Sequence, residues 1–293
     1  MARARSGAWG IWLVTTVCAS VLNATVKYLS AELHPFEITF FRSIFGCVAF
    51  APLFIGHGWA PFRTKCLGLH AVRGVLTSVA ILSLFLGLSM TELAKFQALL
   101  FTTPLFAAVL GFALLRERIP YARIAALLVG FAGALVVLRP GMIALGPGPI
   151  LILISALVIG GQMIAMKVLS RTESSTTITL YMMVFTTILS FVAAIIVWKM
   201  PTWPQFGVMV AIGFLSAFLH ICMAQAIKEA DISVVLSVNY TALIWAAIIG
   251  FVVFAEIPDI GIWLGGTIIS ASVVFIAIRE KMAESQTRLA PSR

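Results

Sequence analysis

A chain of 293 residues that is 61% apolar and only 11% charged departs from soluble domains, in which about 25% of residues are charged. Water is not its main solvent, and the apolar stretches leave no room for a soluble enzyme domain. The net charge of +9 would suggest nucleic acid in a soluble protein, but lysine and arginine also mark membrane topology, and that reading comes first.

Crossing a hydrocarbon core of about 30 Å takes roughly 20 apolar residues. Ten segments bounded by charge, proline or glycine meet that need: 8–29, 36–55, 69–89, 94–115, 121–138, 149–168, 177–198, 205–226, 232–254 and 260–278. They read as helices, because stretches such as Ile124 to Leu138 are apolar on every side, whereas barrel strands alternate. The run after Arg3 and Arg5 continues to about Tyr28 with no small-x-small cleavage pattern, so it reads as a retained first helix. Cys18, Cys47 and Cys222 lie in apolar runs and Cys66 in a connector, without CxxC spacing, so no metal or cofactor is expected.

With the N-terminus inside, fifteen of the twenty lysines and arginines fall on the cytoplasmic side. Lys95, Arg139 and Lys199 fall outside, while Lys27 and Arg42 lie within spans. The acids divide about evenly, so this is a positive-inside asymmetry. It predicts an inner-membrane protein with both termini cytoplasmic, assigns most of the charge to topology, and removes nucleic acid as a partner.

The Pro/Gly-rich connector from Arg139-Pro140-Gly141 to Pro149 divides the spans into five and five. An odd number per half makes the second copy enter the membrane from the opposite side. The expected organisation is a first five-helix repeat at 1–139, a connector at 140–148, a second repeat at 149–279 and a cytoplasmic tail at 280–293. The halves share signs at a shift of about 140 residues. Lys27 ends the first span as Lys167 ends the sixth. Glu117 follows the fourth as Glu256 follows the ninth, each six residues after a glycine, Gly111 or Gly250. Inversion puts Lys27 and Glu256 near the outer face, and Lys167 and Glu117 near the inner one. The fold class is therefore an all-α membrane protein of ten transmembrane helices in two inverted five-helix repeats.

Asn23-x-x-x-Lys27, His34-Pro35-Phe36-Glu37 to Arg42, and Pro104 thirteen residues before Glu117, with a degenerate repeat ending at Glu256, resemble the drug/metabolite transporter superfamily in its EamA-like branch. The resemblance covers almost the whole chain. Phe36-Glu37 with Phe40-Phe41-Arg42, Arg73-Gly74 and Asn239-Tyr240-Thr241 look closest to bacterial members that take up riboflavin or S-adenosylmethionine. One departure is that Leu243 stands where the second half would match Pro104. The resemblance implies two inverted halves around a central solute cavity.

Polar side chains in lipid mark inward helix faces. Thr16, Ser20, Asn23 and Lys27 align on one side of the first span. Asn23 faces a solute or a neighbouring helix, and Lys27 serves the site or snorkels to the headgroups. Arg42, about two turns inside the second span, needs a partner, and is read as an ion pair with Glu37 or as a solute contact. Arg73 lies one turn into the third span, where a topogenic or gating role fits. In the ninth span Ser233, Ser237, Tyr240, Thr241 and Trp245 repeat at a helical period with Asn239 beside them, a wall of hydrogen-bonding groups and π faces. Gln97, Gln162 and His220 are further inward candidates. Lys27, Glu37, Arg42, Lys167, Glu117 and Glu256 are the expected gating or ion-pairing set. Gly130 to Ala134 and Gly266 to Ser270 predict close helix packing.

No carboxylate lies in the middle third of any span, which disfavours proton-coupled efflux of organic cations. The absence of a P-loop, HExxH or GxSxG removes ATP-driven pumps and common hydrolases. The expected function is a secondary transporter of a small organic metabolite with no catalytic residue, first a riboflavin importer, then S-adenosylmethionine uptake or amino-acid and metabolite export. A lipid-modifying membrane enzyme would need clustered acid/base residues that the scattered histidines do not supply. The expected partners are the solute and the bilayer, and the composition admits a homodimer.

Overall fold

The computed structural model describes residues 2–51, 64, 66–115, 121–139, 146–169, 172–229 and 241–289. They form eleven helices: α1 (Ala2–Leu29), α2 (Pro35–Val48), α3 (Leu67–Ser89), α4 (Leu93–Leu100), α5 (Thr103–Leu115), α6 (Tyr121–Leu138), α7 (Pro147–Leu169), α8 (Ser175–Ile195), α9 (Trp203–Glu229), α10 (Thr241–Phe254) and α11 (Ile260–Leu289). Among the described residues there is no strand. Five segments are long and apolar enough to cross a membrane: Leu67–Ser89, Leu93–Gly111, Pro147–Met166, Thr176–Ile195 and Trp203–His220. Ile124–Leu138, Thr241–Phe254 and Ile260–Ile276 are shorter apolar helices.

Each expected span overlaps a helix, with two differences. The fourth is split at Phe101–Thr102 into α4 and α5. Pro104 has no N–H, so the Leu100 carbonyl loses its helical donor. Thr103 Oγ1 donates to that carbonyl at 2.7 Å, and Thr102 Oγ1 donates to the Leu99 carbonyl at 2.7 Å. Threonine hydroxyls thus satisfy the break, which apolar surroundings require. The second helix, expected to reach residue 55, ends at Val48, with a turn at Ala49 and Phe50 before a helical Ala51; positions 52–55 lie outside the described residues. Its start is fixed by His34, whose Nδ1 accepts the Phe36 N–H at 3.3 Å. Burial holds the His34 imidazole below its ordinary pKa, which keeps that nitrogen free to accept.

The chain is turned inside out relative to a soluble protein. Ile196, Val252 and Leu128 are 84%, 73% and 67% exposed. Thr39, Arg42, Ser43, Arg73, Thr77 and Ser155 are buried. Some inward hydroxyls are satisfied along their own helices, as Thr39 Oγ1 donating to the Pro35 carbonyl and Thr77 Oγ1 to the Arg73 carbonyl, both at 2.8 Å, while Ser155 Oγ donates across to the Ala80 carbonyl at 2.8 Å.

The strongest helix pairings are α3 with α7, α6 with α11, and α2 with α8. Next, α9 packs on α2, α3 on α8, α5 on α7, α1 on α9 and α10, and α10 on α4. Glycines set the closest crossings. A Cβ at Gly74 would lie 2.4 Å from Phe185 Cβ. Between α6 and α11, a Cβ at Gly265 would lie 2.5 Å from the Gly133 carbonyl oxygen, and one at Gly133 would lie 3.0 Å from that of Gly265. Gly130, expected at a close contact, packs against Leu105 and Ser272, while Gly266 faces Leu243. The tightest α6–α11 approach therefore falls at Gly133 and Gly265. In lipid, small residues permit such dispersion-driven contact.

Gly265→Ala should destabilise the purified protein by about 1–3 kcal/mol through overpacking against backbone. Gly207→Ala, with no atom within 4 Å of the added methyl, should leave the melting temperature unchanged. Thermal unfolding followed by tryptophan fluorescence checks the pair.

Candidate functional site

Charged residues meet at one end of the bundle, where α1 finishes and α2 begins. Lys27, in the last turn of α1, forms an ion pair with Glu256. Its Nζ also donates to the Thr91 carbonyl at 2.7 Å and lies 5.1 Å from the Phe254 ring centroid. Glu256 Oε2 accepts the Leu93 N–H at 2.8 Å. One ion pair thus joins the end of α1, the turn before α4 and the segment after α10.

Backbone geometry delivers Glu256 there. Ala255 takes φ 53°, in the left-handed region, and the Glu256 N–H returns to the Gly250 carbonyl at 3.0 Å. A Cβ at Gly250 would sit 3.1 Å from Glu256 Oε2, so glycine six residues upstream makes room for the carboxylate. Both members are partly shielded, at 13% and 15% exposure, where desolvation makes a lone charge costly.

The same end carries three more ties. Glu37 Oε2 accepts the Lys199 N–H at 3.4 Å, Gln205 Nε2 donates to Glu32 Oε2 at 2.5 Å, and Arg139 pairs with Asp259 at 3.0 Å. The expected pairing of Glu37 with Arg42 does not form. Five residues along a helix turn the two side chains about 140° apart and set Arg42 over a turn deeper. Glu37 is held by the α8–α9 segment, and Arg42 reaches into the bundle.

That interior is polar and tightly closed. Arg42 Nη2 donates to Ser216 Oγ at 2.6 Å, and its guanidinium lies 5.4 Å from the Phe85 ring centroid. Arg42, Ser43, Thr186, Ser216 and Met182 line a void of about 10 Å³, room for one water molecule. Arg73, read from sequence as topogenic or gating, is instead 5% exposed and donates through Nη1 to the Ile178 carbonyl at 2.9 Å. The available signal was its place four residues before Thr77 on an apolar helix, which puts both on one face. Gln162 and the Thr77 hydroxyl are hydrogen-bonded across the α3–α7 contact, the hydroxyl proton being shared with the Arg73 carbonyl. His220 Nδ1 donates to the Ser216 carbonyl at 2.8 Å, one turn away from the hydroxyl that holds Arg42.

The first-span stripe faces protein. Thr16 and Thr241 hydroxyls share a hydrogen bond at 3.1 Å. With Lys27 on Glu256 farther along, α1 and α10 run parallel. Ser20 Oγ and the Trp245 indole N–H, each one turn past those threonines, are buried without hydrogen-bond partners. Asn23 is half-buried on α1, and Gln97 is buried on α4. Asn239, Tyr240 and Glu117 lie outside the described residues, as does the Lys167 side chain. Leu243 lies within α10, unbroken over Thr241–Phe254.

The model of the EamA-like transporter family matches this chain twice, at residues 6–139 and 146–278. The chain belongs to the EamA-like transporter family. Similar proteins include an S-adenosylmethionine uptake transporter of Rickettsia bellii, 27% identical over 277 residues that cover 94% of this chain and 95% of the relative. A riboflavin transporter of Vibrio cholerae is 28% identical, covering 91% of each chain, and a pseudopaline exporter of Pseudomonas aeruginosa is 28% identical, covering 89% of this chain and 93% of its own. A crystal structure with a TM-score of 0.63 and 19% identity, covering 94% of this chain and 98% of the other, shares the fold. This EamA-like chain is thus a multi-pass membrane protein of a transporter family, and the relatives named here are transporters.

Lys27→Met leaves Glu256 shielded and unpaired, and should lower stability by about 1–3 kcal/mol. Lys27→Met with Glu256→Gln should recover part of that loss, because no charge is then stranded. A double-mutant cycle on melting temperature measures the coupling.

Proposed function

We propose that this chain is a secondary transporter that moves a small organic metabolite across the bacterial inner membrane by alternating access. Ten membrane-spanning helices, arranged as two inverted five-helix halves with both termini cytoplasmic, are the working architecture. The packing supports it. Exchanging the halves turns α3 with α7 into α9 with α1, α3 with α8 into α9 with α2, and α5 with α7 into α10 with α1. The pairs α6–α11, α2–α8 and α4–α10 exchange onto themselves. The double family match supports the same division.

The observation that carries the mechanism is the Lys27–Glu256 pair joining the two halves over a closed polar interior. The lysine/arginine asymmetry puts that end outside, so this conformer is shut toward the exterior. Alternating access requires a closure that can open, and an ion pair at 13–15% exposure is one that water can dissolve. Lys167 and Glu117 occupy the matching places in the other halves' sequence and are proposed to close the inner side.

For the solute, the ninth-span wall favours a flavin, with S-adenosylmethionine second. Both present several oxygen or nitrogen acceptors to an interior whose donors include Arg42, Arg73 and the Trp245 indole.

Two experiments test this reading. Proteoliposomes carrying the chain should exchange labelled riboflavin or S-adenosylmethionine faster than empty vesicles; the empty-vesicle rate for both would remove both solutes. With the four native cysteines replaced by serine, a Ser20→Cys variant should react slowly with an impermeant thiol reagent from outside. Adding Glu256→Gln should speed that reaction several-fold, and an unchanged rate would remove Lys27–Glu256 as the gate.

A further inference from the structure

The centre of the bundle holds two cations and, among the described residues, no anion that pairs with them. Arg42 and Arg73 are 8% and 5% exposed. A guanidinium stays charged in proteins and offers five N–H donors in a planar fork. Arg42 spends one donor on Ser216 Oγ and otherwise lies against Phe85. Arg73 spends one on the Ile178 carbonyl, and its second amino group faces the sulfurs of Met166 and Met182 at 3.8 and 3.7 Å. Thioether sulfur is a weak acceptor. The Nε of each arginine is buried with no partner. The described acids on neighbouring segments do not pair with either arginine: Glu37 Oε2 accepts the Lys199 backbone N–H while its Oε1 is buried without a partner, and Glu173 accepts from Thr64.

The two forks share Met182 as a neighbour, although Arg73 itself does not line the void. Met182 lines the same small void as Arg42 and receives the Nη2 of Arg73. Ser43, Thr186 and Ser216 add hydroxyls to that lining, and Ile81 and Met183 supply the rest of its apolar part. A buried arginine retained for stability is matched by a carboxylate or by several backbone carbonyls, whereas Arg42 has one hydroxyl and Arg73 one carbonyl against five donors each. Two unmatched neighbours around hydroxyls describe a site that waits for a counter-charge from outside the chain.

We propose that Arg42 and Arg73 form an anion site that receives a carboxylate of the transported solute, so that the solute class is an organic acid or an amino-acid derivative rather than an uncharged flavin. The proposal rests on the transporter reading for where the solute comes from, and reverses its order of solutes, because S-adenosylmethionine carries a carboxylate and riboflavin does not. Arginine forks bind carboxylates through paired, charge-assisted hydrogen bonds. The free donors counted above suffice for both carboxylate oxygens. In the closed conformer the void admits only a small group, so the solute enters when the Lys27–Glu256 end or its inner counterpart opens.

The test uses the purified full chain in nanodiscs of neutral lipid, with melting temperature as readout, because a ligand of the native state raises it. The probes are S-adenosylmethionine with its decarboxylated analogue, citrate and glutamate with their amides, riboflavin, and riboflavin 5′-phosphate. At least one carboxylate should raise the melting temperature while its carboxylate-free partner does not. Arg42→Gln and Arg73→Gln should weaken that ligand about 10- to 100-fold, as loss of a charge-assisted hydrogen bond does. Arg42→Lys, which keeps the charge and loses the fork, should weaken it less.

The unliganded glutamine variants should melt at the wild-type temperature or above it, because an unmatched buried charge has been removed. Variants that melt well below it, or fail to fold, would make the arginines structural and overturn the proposal. So would equal shifts from matched partners, a response to the phosphate ester alone, or no response to any carboxylate. Flux in proteoliposomes separates the two readings. A carboxylate-dependent shift without flux of that solute would sink the transporter and leave the anion site. Riboflavin flux indifferent to both arginine variants would sink the anion site and leave the transporter.

Discussion

Hydrocarbon offers no hydrogen bonds, and that constraint orders the structure. Every polar group along a span must find a partner within the protein or cost the fold several kcal/mol. Helices satisfy the backbone, threonine and serine hydroxyls fold back onto carbonyls one turn away, and charged side chains are driven to the bundle interior or its ends. The exposed surface of Ile196, Val252 and Leu128 and the buried set around Arg42 and Arg73 are two sides of this sorting.

The sorting made much of the architecture legible in the sequence. Each apolar segment overlaps a helix, because length and uniform hydrophobicity carry that information locally. Gly250 six residues before Glu256 could be noticed, although its reason, space for the carboxylate, belongs to the folded backbone. The fourth span was expected as one segment, and Thr102 and Thr103 show how the carbonyls at its break before Pro104 are satisfied.

Pairings between segments were harder to read. Lys27 and Glu256 were placed at the same face by topology, but the sequence does not hold the turn at Ala255 that brings them into contact. Arg42 was assigned to Glu37 because proximity along the chain is the only proximity a sequence offers. Arg73 looked like a boundary residue from its distance to the helix start, whereas α8 and α7 pack over it and make it interior. Net charge at a site depends on which acids are absent from its surroundings, and that is a property of three dimensions.

The α6–α11 crossing has a mechanical consequence. Where Gly133 and Gly265 face each other's carbonyl oxygens, the side chains beside them are Val137 and Ile268, both β-branched and stiff, with no long compliant chain to act as a bearing. Displacement there would lift main chain off main chain at once, forfeiting many dispersion contacts together. In the proposed transport cycle this pair would serve as a stator, with the rotor among the helices that touch through longer, compliant side chains.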